Sequence, residues 1–188
     1  MEKLKKVVVI GPESTGKSTL CEQLAQHFNT YWCPEFAREY LLTYGKEYGY
    51  SDLINIAKGQ VALEDEFAFS LENKLSFSGE KSPSNLLFID TNLYVMKVWS
   101  EFVFNDCDPW ILNKIVERKY DLYLLCNTDL PWINDDLREY PDKNVRQKLY
   151  SIYEDLMINQ SVPWVEIGGN YEERYQKAFI AVNKYCLH

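Results

Sequence analysis

Metal-ligating residues are scarce. The chain has two histidines, His27 and His188, and none of its five cysteines (Cys21, Cys33, Cys107, Cys126, Cys186) forms a C-x-x-C pair. No ligand set for structural zinc exists, and a disulfide framework is not expected. Positive charge is also short, with 20 basic against 28 acidic residues and a net charge of −8. A generic nucleic-acid binder needs a positive field to neutralise phosphates, so that class is excluded. No stretch approaches the roughly 18 apolar residues of a membrane span. After the charged start Met1-Glu-Lys-Leu-Lys-Lys, only four clearly apolar residues precede Gly11. That is too short for a signal-peptide core. No internal repeat, linker or low-complexity tail stands out. The expectation is a reduced, cytoplasmic protein whose 188 residues make one domain with one core.

What is present is an alternation of short apolar runs and amphipathic stretches. Val7 to Ile10 is a β-branched run ending at a glycine, and it reads as a buried strand. Leu20, Leu24 and Phe28 then repeat every four residues, as on a helix face. Thr30 to Cys33 is a second strand. Ala37, Leu41 and Tyr44 mark a helix stopped at Gly45, and Ser51 is placed to cap a longer helix carrying Leu53, Ala57, Val61, Ala68 and Leu75. Gly79 to Asn85 reads as a surface loop. Leu86 to Ile89 is a third strand, ending at Asp90, with a helix from about Leu93 to Phe104. Asp108-Pro109 starts the next helix. Asp121 to Cys126 is strand four, and Val162 to Ile167 is strand five. Between them Asp142 caps a helix whose Val145, Leu149, Tyr153 (or Ile152) and Leu156 face inward. Asn170 and Glu173 have capping-box spacing for a last helix carrying Tyr175, Ala178, Phe179, Val182 and Cys186. The fold class is therefore α/β, a parallel sheet of about five strands covered on both faces. Ligands in such sheets bind at the C-terminal ends of the strands.

One of those ends carries a phosphate-binding pattern. Gly11-Pro-Glu-Ser-Thr-Gly16-Lys17-Ser18 fits G-x-x-x-x-G-K-[ST] between a strand and a helix. At average residue usage its fixed positions match by accident roughly once in 30,000 windows. Backbone N–H groups from Gly11 through Glu13, Ser14, Thr15, Gly16, Lys17, Ser18 and Thr19 would gather the phosphates of ATP at a helix N-terminus. Lys17 would reach the β- and γ-phosphates, and Ser18 would offer a hydroxyl to Mg²⁺. Asp90, acidic at the end of strand three, is placed as the second Mg²⁺ partner, as a helix cap, or, as an alternative to Glu35, as the catalytic group that orients the acceptor hydroxyl. In Glu35-Phe-Ala-Arg38-Glu39, Glu35 is a candidate to orient or deprotonate an acceptor hydroxyl, and Arg38 to meet a phosphate or pair with Glu35. The charged, proline-bounded segment from Trp132 to Arg146 suggests a lid at about 131–147. There Arg138 would close on the transferring phosphate, with Asp135 and Asp136 orienting it or touching substrate. Asn92 and Trp132 complete the substrate candidates. The many aromatics are mainly packing, although Tyr94, Trp99 or Trp132 could stack on a base or pyridine ring.

The segments Gly11-Pro-Glu-Ser-Thr-Gly-Lys-Ser18, Pro34-Glu-Phe-Ala-Arg-Glu39, Phe88-Ile-Asp-Thr91, Trp132-Ile-Asn-Asp-Asp-Leu-Arg138 and Val162-Pro-Trp-Val-Glu-Ile167 together resemble the ribosylnicotinamide kinase domain of the NadR-type proteins. The likeness runs in order along nearly the whole chain. It implies a three-layer P-loop fold with five parallel strands in the order 2-3-1-4-5. It also implies transfer of the ATP γ-phosphoryl to the 5′-hydroxyl of nicotinamide riboside. The partner would then be a nucleoside-like small molecule, with neither nucleic acid nor membrane; the oligomeric state stays open. NadR proteins carry an adenylyltransferase domain and sometimes a DNA-binding one. The chain has no room for either, and those activities are not expected. A fixed pyridinium charge would be attracted by an acidic pocket with aromatic faces. Other readings are a kinase for another nucleoside, nucleotide or vitamin, and a nucleotide-binding module without turnover. A P-loop ATPase or GTPase switch is a further alternative. For a GTPase, Asp90-Thr-Asn-Leu93 lacks the Asp-x-x-Gly glycine, and Asn127-Thr-Asp129-Leu130 does not fit Asn-Lys-x-Asp.

Overall fold

In the computed structural model the described residues are 3–73 and 84–187. Five strands alternate with helices in one sheet. They are β1 (Lys5–Ile10), β2 (Tyr31–Cys33), β3 (Leu86–Asp90), β4 (Leu122–Cys126) and β5 (Trp164–Ile167). The order is β2-β3-β1-β4-β5 with every neighbouring pair parallel, as the resemblance implied. The helices are α1 (Lys17–His27), α2 (Phe36–Tyr44), α3 (Tyr50–Glu72), α4 (Leu93–Phe104), α5 (Pro109–Glu117), α6 (Lys143–Asn159) and α7 (Tyr171–Cys186).

The strand pleat divides the core. Val7 and Val9 of β1 pack with Leu20 and Leu24 of α1 and with Ala178 and Val182 of α7. Val8 and Ile10, one residue out of phase, face Leu71 of α3, Val98 of α4 and Leu149 and Met157 of α6. Both faces of β1 are therefore dry, which explains the unbroken Val-Val-Val-Ile run. A smaller cluster of Ala37, Leu53, Ile56, Leu93 and Ile111 packs α2 to α5 beside the β2 side of the sheet. All five cysteines are free and buried. Among the described residues no helix is long and apolar enough to cross a membrane, and no cluster of metal-ligating side chains occurs.

Several expected details moved. Ser51 does not cap α3. Gly49 does, because Asp52 reaches back to accept its N–H at 2.8 Å. Leu75 and most of the Gly79–Asn85 loop lie outside the described residues. In α6 the inward stripe is rotated to Arg146, Leu149, Tyr150, Tyr153 and Met157, leaving Val145 and Leu156 partly buried. Arg146 is drawn in because its guanidinium donates to the Ser14 carbonyl at 3.1 Å. In α7 Arg174 joins the buried face, while Tyr175 and Phe179 flank His27 and Phe28.

Candidate active site

The strand ends converge on residues 11–18, between β1 and α1. Gly11 has φ 138°, and a Cβ there would sit 2.6 Å from the Cys126 carbonyl, so the end of β4 requires a glycine. Gly16, at φ 77°, is the N-cap of α1 and offers no side-chain cap. The first amides of α1 therefore keep no side-chain partner from the cap, the arrangement that suits an anion. Within the loop, Thr15 Oγ1 donates to the Pro12 carbonyl at 2.8 Å, and Lys17 Nζ folds back onto the same carbonyl at 2.9 Å. Arg174 braces the loop from behind. It donates to the Thr15 carbonyl at 3.0 Å and to the Asn127 and Gly169 carbonyls, and it pairs with Asp129. Asp129 also accepts the Gly169 N–H at 2.5 Å.

Asp90 ends β3 beside this loop, 1% exposed. Its Oδ2 accepts the Ser18 hydroxyl at 2.5 Å, and among the described residues its buried Oδ1 has no hydrogen-bond partner. Burial raises its carboxyl pKa, against the pull of Lys17 and the Ser18 hydroxyl. The next residue, Thr91, holds φ 68°, a strained value for a β-branched side chain. Asp90 does not cap α4. Asn92 does, with its Oδ1 accepting the Tyr94 N–H at 3.0 Å. One buried orphan carboxylate oxygen and an adjacent hydroxyl suit a hard, oxygen-seeking cation such as Mg²⁺.

A cavity of about 480 Å³ opens from the loop. Its floor is residues 11–19 and Asp90. One wall is Glu35, Ala37, Arg38 and Leu41 of the β2–α2 corner, with Trp32 of β2. The opposite wall is aromatic and aliphatic: Val95, Val98, Trp99 and Phe102 of α4 with Leu149 and Tyr153 of α6. The Glu35 carboxyl is pushed up to about 7 by burial first, then by Asp90 and Glu13, against Lys17 and Arg38. A carboxyl poised there can exchange a proton near neutral pH.

Residues 131–142 cross the mouth of the cavity without regular structure. They are fastened on both sides. Ser14 Oγ accepts the Ile133 N–H at 2.9 Å, and Glu13 Oε2 accepts the N–H groups of Glu139 and Tyr140 at 3.0 and 3.2 Å. On the far side Arg38 pairs with Asp135 at 2.9 Å, and the Tyr48 hydroxyl donates to Glu139 at 2.9 Å. That bond to Arg38 holds the Asp135 carboxyl below its usual range. Arg138 lines the cavity, its guanidinium donating to the Ile133 carbonyl at 2.6 Å.

Lys17, Ser18, Glu35, Arg38, Asp90, Asp135 and Arg138 are thus brought to one cavity, as are loop residues Gly11, Glu13, Ser14, Thr15, Gly16 and Thr19. Three substrate candidates are not. Asn92 is buried, spent on its cap and on the Tyr123 hydroxyl at 3.2 Å. Trp132 lies under the guanidinium of Arg146, 5.5 Å from it. Asp136 is exposed, near Lys46. The Glu13 carboxylate serves the 131–142 segment by accepting its N–H groups. Arg38 pairs with Asp135 in place of Glu35. Of the proposed stacking aromatics Trp99 reaches the cavity, whereas Tyr94 packs on Tyr123. Trp32, Phe102 and Tyr140 also line the cavity, and as isolated aromatics they carry no spacing signal; Tyr153, expected on the inward stripe of α6, reaches the cavity as well. Sequence reading missed Arg146 and Arg174, which sit on helix faces expected to be apolar.

The sequence profile described as AAA domain matches residues 6–174. The Trifunctional NAD biosynthesis/regulator protein NadR of Escherichia coli (strain K12) is 28% identical over 181 residues, covering 94% of this chain. Its counterpart from Salmonella typhimurium (strain LT2) is 28% identical over 177 residues, covering 92%. The chain spans only 40% of the length of either. Among solved structures, a NadR protein in complex with NR matches with TM-score 0.75 at 22% identity, over 98% of this chain and 51% of that one. Thymidylate kinase from Ehrlichia chaffeensis matches with TM-score 0.60 at 10% identity, over 96% of this chain and all of that one. At these identities the structural likeness speaks to the fold.

Proposed function

The chain belongs to the AAA domain family, and on that premise we propose that it is an ATP-dependent kinase acting on nicotinamide riboside to give nicotinamide mononucleotide. The observation that carries this reading is that the phosphate loop and the Ser18–Asp90 pair share one cavity with Glu35 and an aromatic wall. The kinship in sequence with NadR supports the acceptor.

In this mechanism the loop amides and Lys17 hold the triphosphate. Ser18 and Asp90 would hold Mg²⁺, which would offset phosphate charge. Glu35, which lines the same cavity as the phosphate loop, takes the proton of the acceptor hydroxyl, and the aromatic wall holds the cationic ring. Residues 131–147 act as the lid. Arg138 stabilises charge on the phosphoryl group as it transfers. The five buried thiols fit a reducing, cytoplasmic setting. A guanine-reading switch is disfavoured because the Asp129 carboxylate is already taken by Gly169 and Arg174.

A coupled ADP-release assay over nicotinamide riboside, other nucleosides and sugars tests the reading. Nicotinamide riboside should give the highest kcat/KM, and Lys17→Ala should abolish turnover while the protein stays folded. ATP with Mg²⁺ should raise Tm by mass action. Turnover of ATP with none of the acceptors, or unchanged turnover in Lys17→Ala, would overturn it.

A further inference from the structure

We infer that Gly59 and Gln60, midway along α3, are positioning residues that hold Glu35 at the cavity. The Gln60 amide clamps the main chain on both sides of Glu35, and the bare backbone of Gly59 seats the ring of Phe36. The inference rests on the reading above, in which Glu35 serves the acceptor hydroxyl.

Neither residue lines the cavity, and neither is explained by helix formation. Glycine in a helix interior is weaker than alanine. The need at position 59 is for space, because a Cβ there would lie 2.0 Å from Phe36 Cε1. Gln60 is polar yet only 2% exposed. A buried amide is tolerated when its hydrogen bonds are made, and those of Gln60 all go to the β2–α2 corner. Its Oε1 accepts the Phe36 N–H at 2.8 Å. Its Nε2 faces the Pro34 carbonyl at 3.4 Å and Cys33 Sγ at 3.6 Å. The residues before and after Glu35 are both fixed to α3. Among the described residues the Glu35 carboxylate itself makes no hydrogen bond, so its location follows from the main chain that carries it. That location matters chemically. The groups facing it are Asp90 at the end of β3, Lys17 and Glu13 from the phosphate loop and α1, Arg38 on α2 and Tyr153 on α6. Displacing the corner moves Glu35 away from this set and toward water, where a glutamate titrates at its ordinary value.

The test pairs a titration with kinetics. In protein labelled with ¹³C at the glutamate carboxyls, the Glu35 signal is assigned by its loss in Glu35→Gln and followed against pH. Wild type should titrate near 7. In Gln60→Leu and Gly59→Ala the midpoint should fall by about one unit or more. kcat/KM for the acceptor should fall about tenfold with the ATP KM within about twofold, as expected for a misplaced reacting group. Folded variants with an unchanged midpoint and unchanged acceptor kinetics would overturn the inference, as would equal losses for ATP and acceptor. Should Gln60→Leu fail to fold, Gly59→Ala is compared in the presence and absence of the ring, using Phe36→Ala and the double variant. If Gly59 seats the ring, Gly59→Ala should move the Glu35 midpoint only while Phe36 is present; an equal shift without Phe36 rejects the inference. The titration needs no turnover. A protein that phosphorylates no acceptor would sink the proposed function, and the clamp would still stand or fall on the midpoint.

Discussion

Two carboxylates are almost wholly buried at opposite ends of the same sheet, and they are treated oppositely. Glu64, on α3 beside the start of β1, is 1% exposed and saturated. Lys6 reaches it at 3.2 Å, Arg118 at 2.7 Å and the Tyr120 hydroxyl at 3.0 Å. Asp90, at the C-terminal end of β3, is equally buried, yet one oxygen has a hydroxyl and the other has no hydrogen-bond partner among the described residues. A buried charge with full partners is architecture. One that stays short of partners is stable only because its surroundings are over-determined, and its unmet demand can be supplied by a ligand. Of these two buried acids, the one short of partners lies at the strand C-termini and the saturated one at the N-termini.

Removing each carboxylate should separate the two ends. Asp90→Asn should lower turnover by about 10²–10³, the scale of losing a preorganised electrostatic partner, while Tm holds or rises because a strained buried charge is gone. A large fall in Tm would mean that Asp90 is structural after all. Glu64→Leu should do the reverse. It leaves Lys6 without its carboxylate and Arg118 with Asp65 alone, and should lower stability by about 3 kcal/mol in urea denaturation, with KM and kcat of the folded fraction unchanged. Loss of activity at full stability would erase the contrast.

Smaller effects should appear at the edges of the cavity. Arg138→Ala should cut kcat about tenfold or more and weaken ATP binding less, because a lid group acts late. A pure loss of ATP affinity would remove Arg138 from the transfer step. Glu35 gives a pH signature. Its folded pKa, about 7, lies above that of an unfolded glutamate. The folded state therefore favours the protonated form, and Glu35 weakens stability as pH rises from the unfolded value through about 7. The Tm gap between Glu35→Gln and wild type should widen in favour of the variant between pH 5 and about 8. Over the same range wild-type kcat/KM should rise with pH as the base form appears, and the variant should lose that limb. A pH-independent gap would show that Glu35 is not desolvated.

Much of the site was legible because its residues sit at strand ends with a fixed spacing. Gly11 to Ser18 could be read as a phosphate loop, and Asp90 stood out as a lone acid closing an apolar strand. Glu35 and Arg38 were visible as a charged pair after β2, although Arg38 chose Asp135. What escaped were residues whose role depends on distant chain. Gln60 and Arg146 interrupt helix faces that otherwise read as apolar, and a sequence pattern has no way to say that their partners are Pro34, Phe36 and Ser14. Glu13 was grouped with the phosphate binders from its place in the loop. Only the folded 131–142 segment shows where its carboxylate points.

The sequence by itself determined the alternation of strands and helices, the parallel sheet and the amide cradle at the end of β1. Each of these follows from local pattern: period-2 and period-3.6 burial, glycine where no Cβ fits, a hydroxyl and a lysine at the first turn of a helix. The tertiary structure alone decided which polar groups are satisfied and which are left wanting. Along the chain Asp90 closes an apolar run, while Glu64 opens the acidic run Glu64-Asp65-Glu66 and reads as a solvated helix face. Only packing brings Lys6, Arg118 and Tyr120 to Glu64 and leaves Asp90 Oδ1 without a hydrogen-bond partner among the described residues, because satisfaction of a buried charge is a property of three-dimensional neighbours.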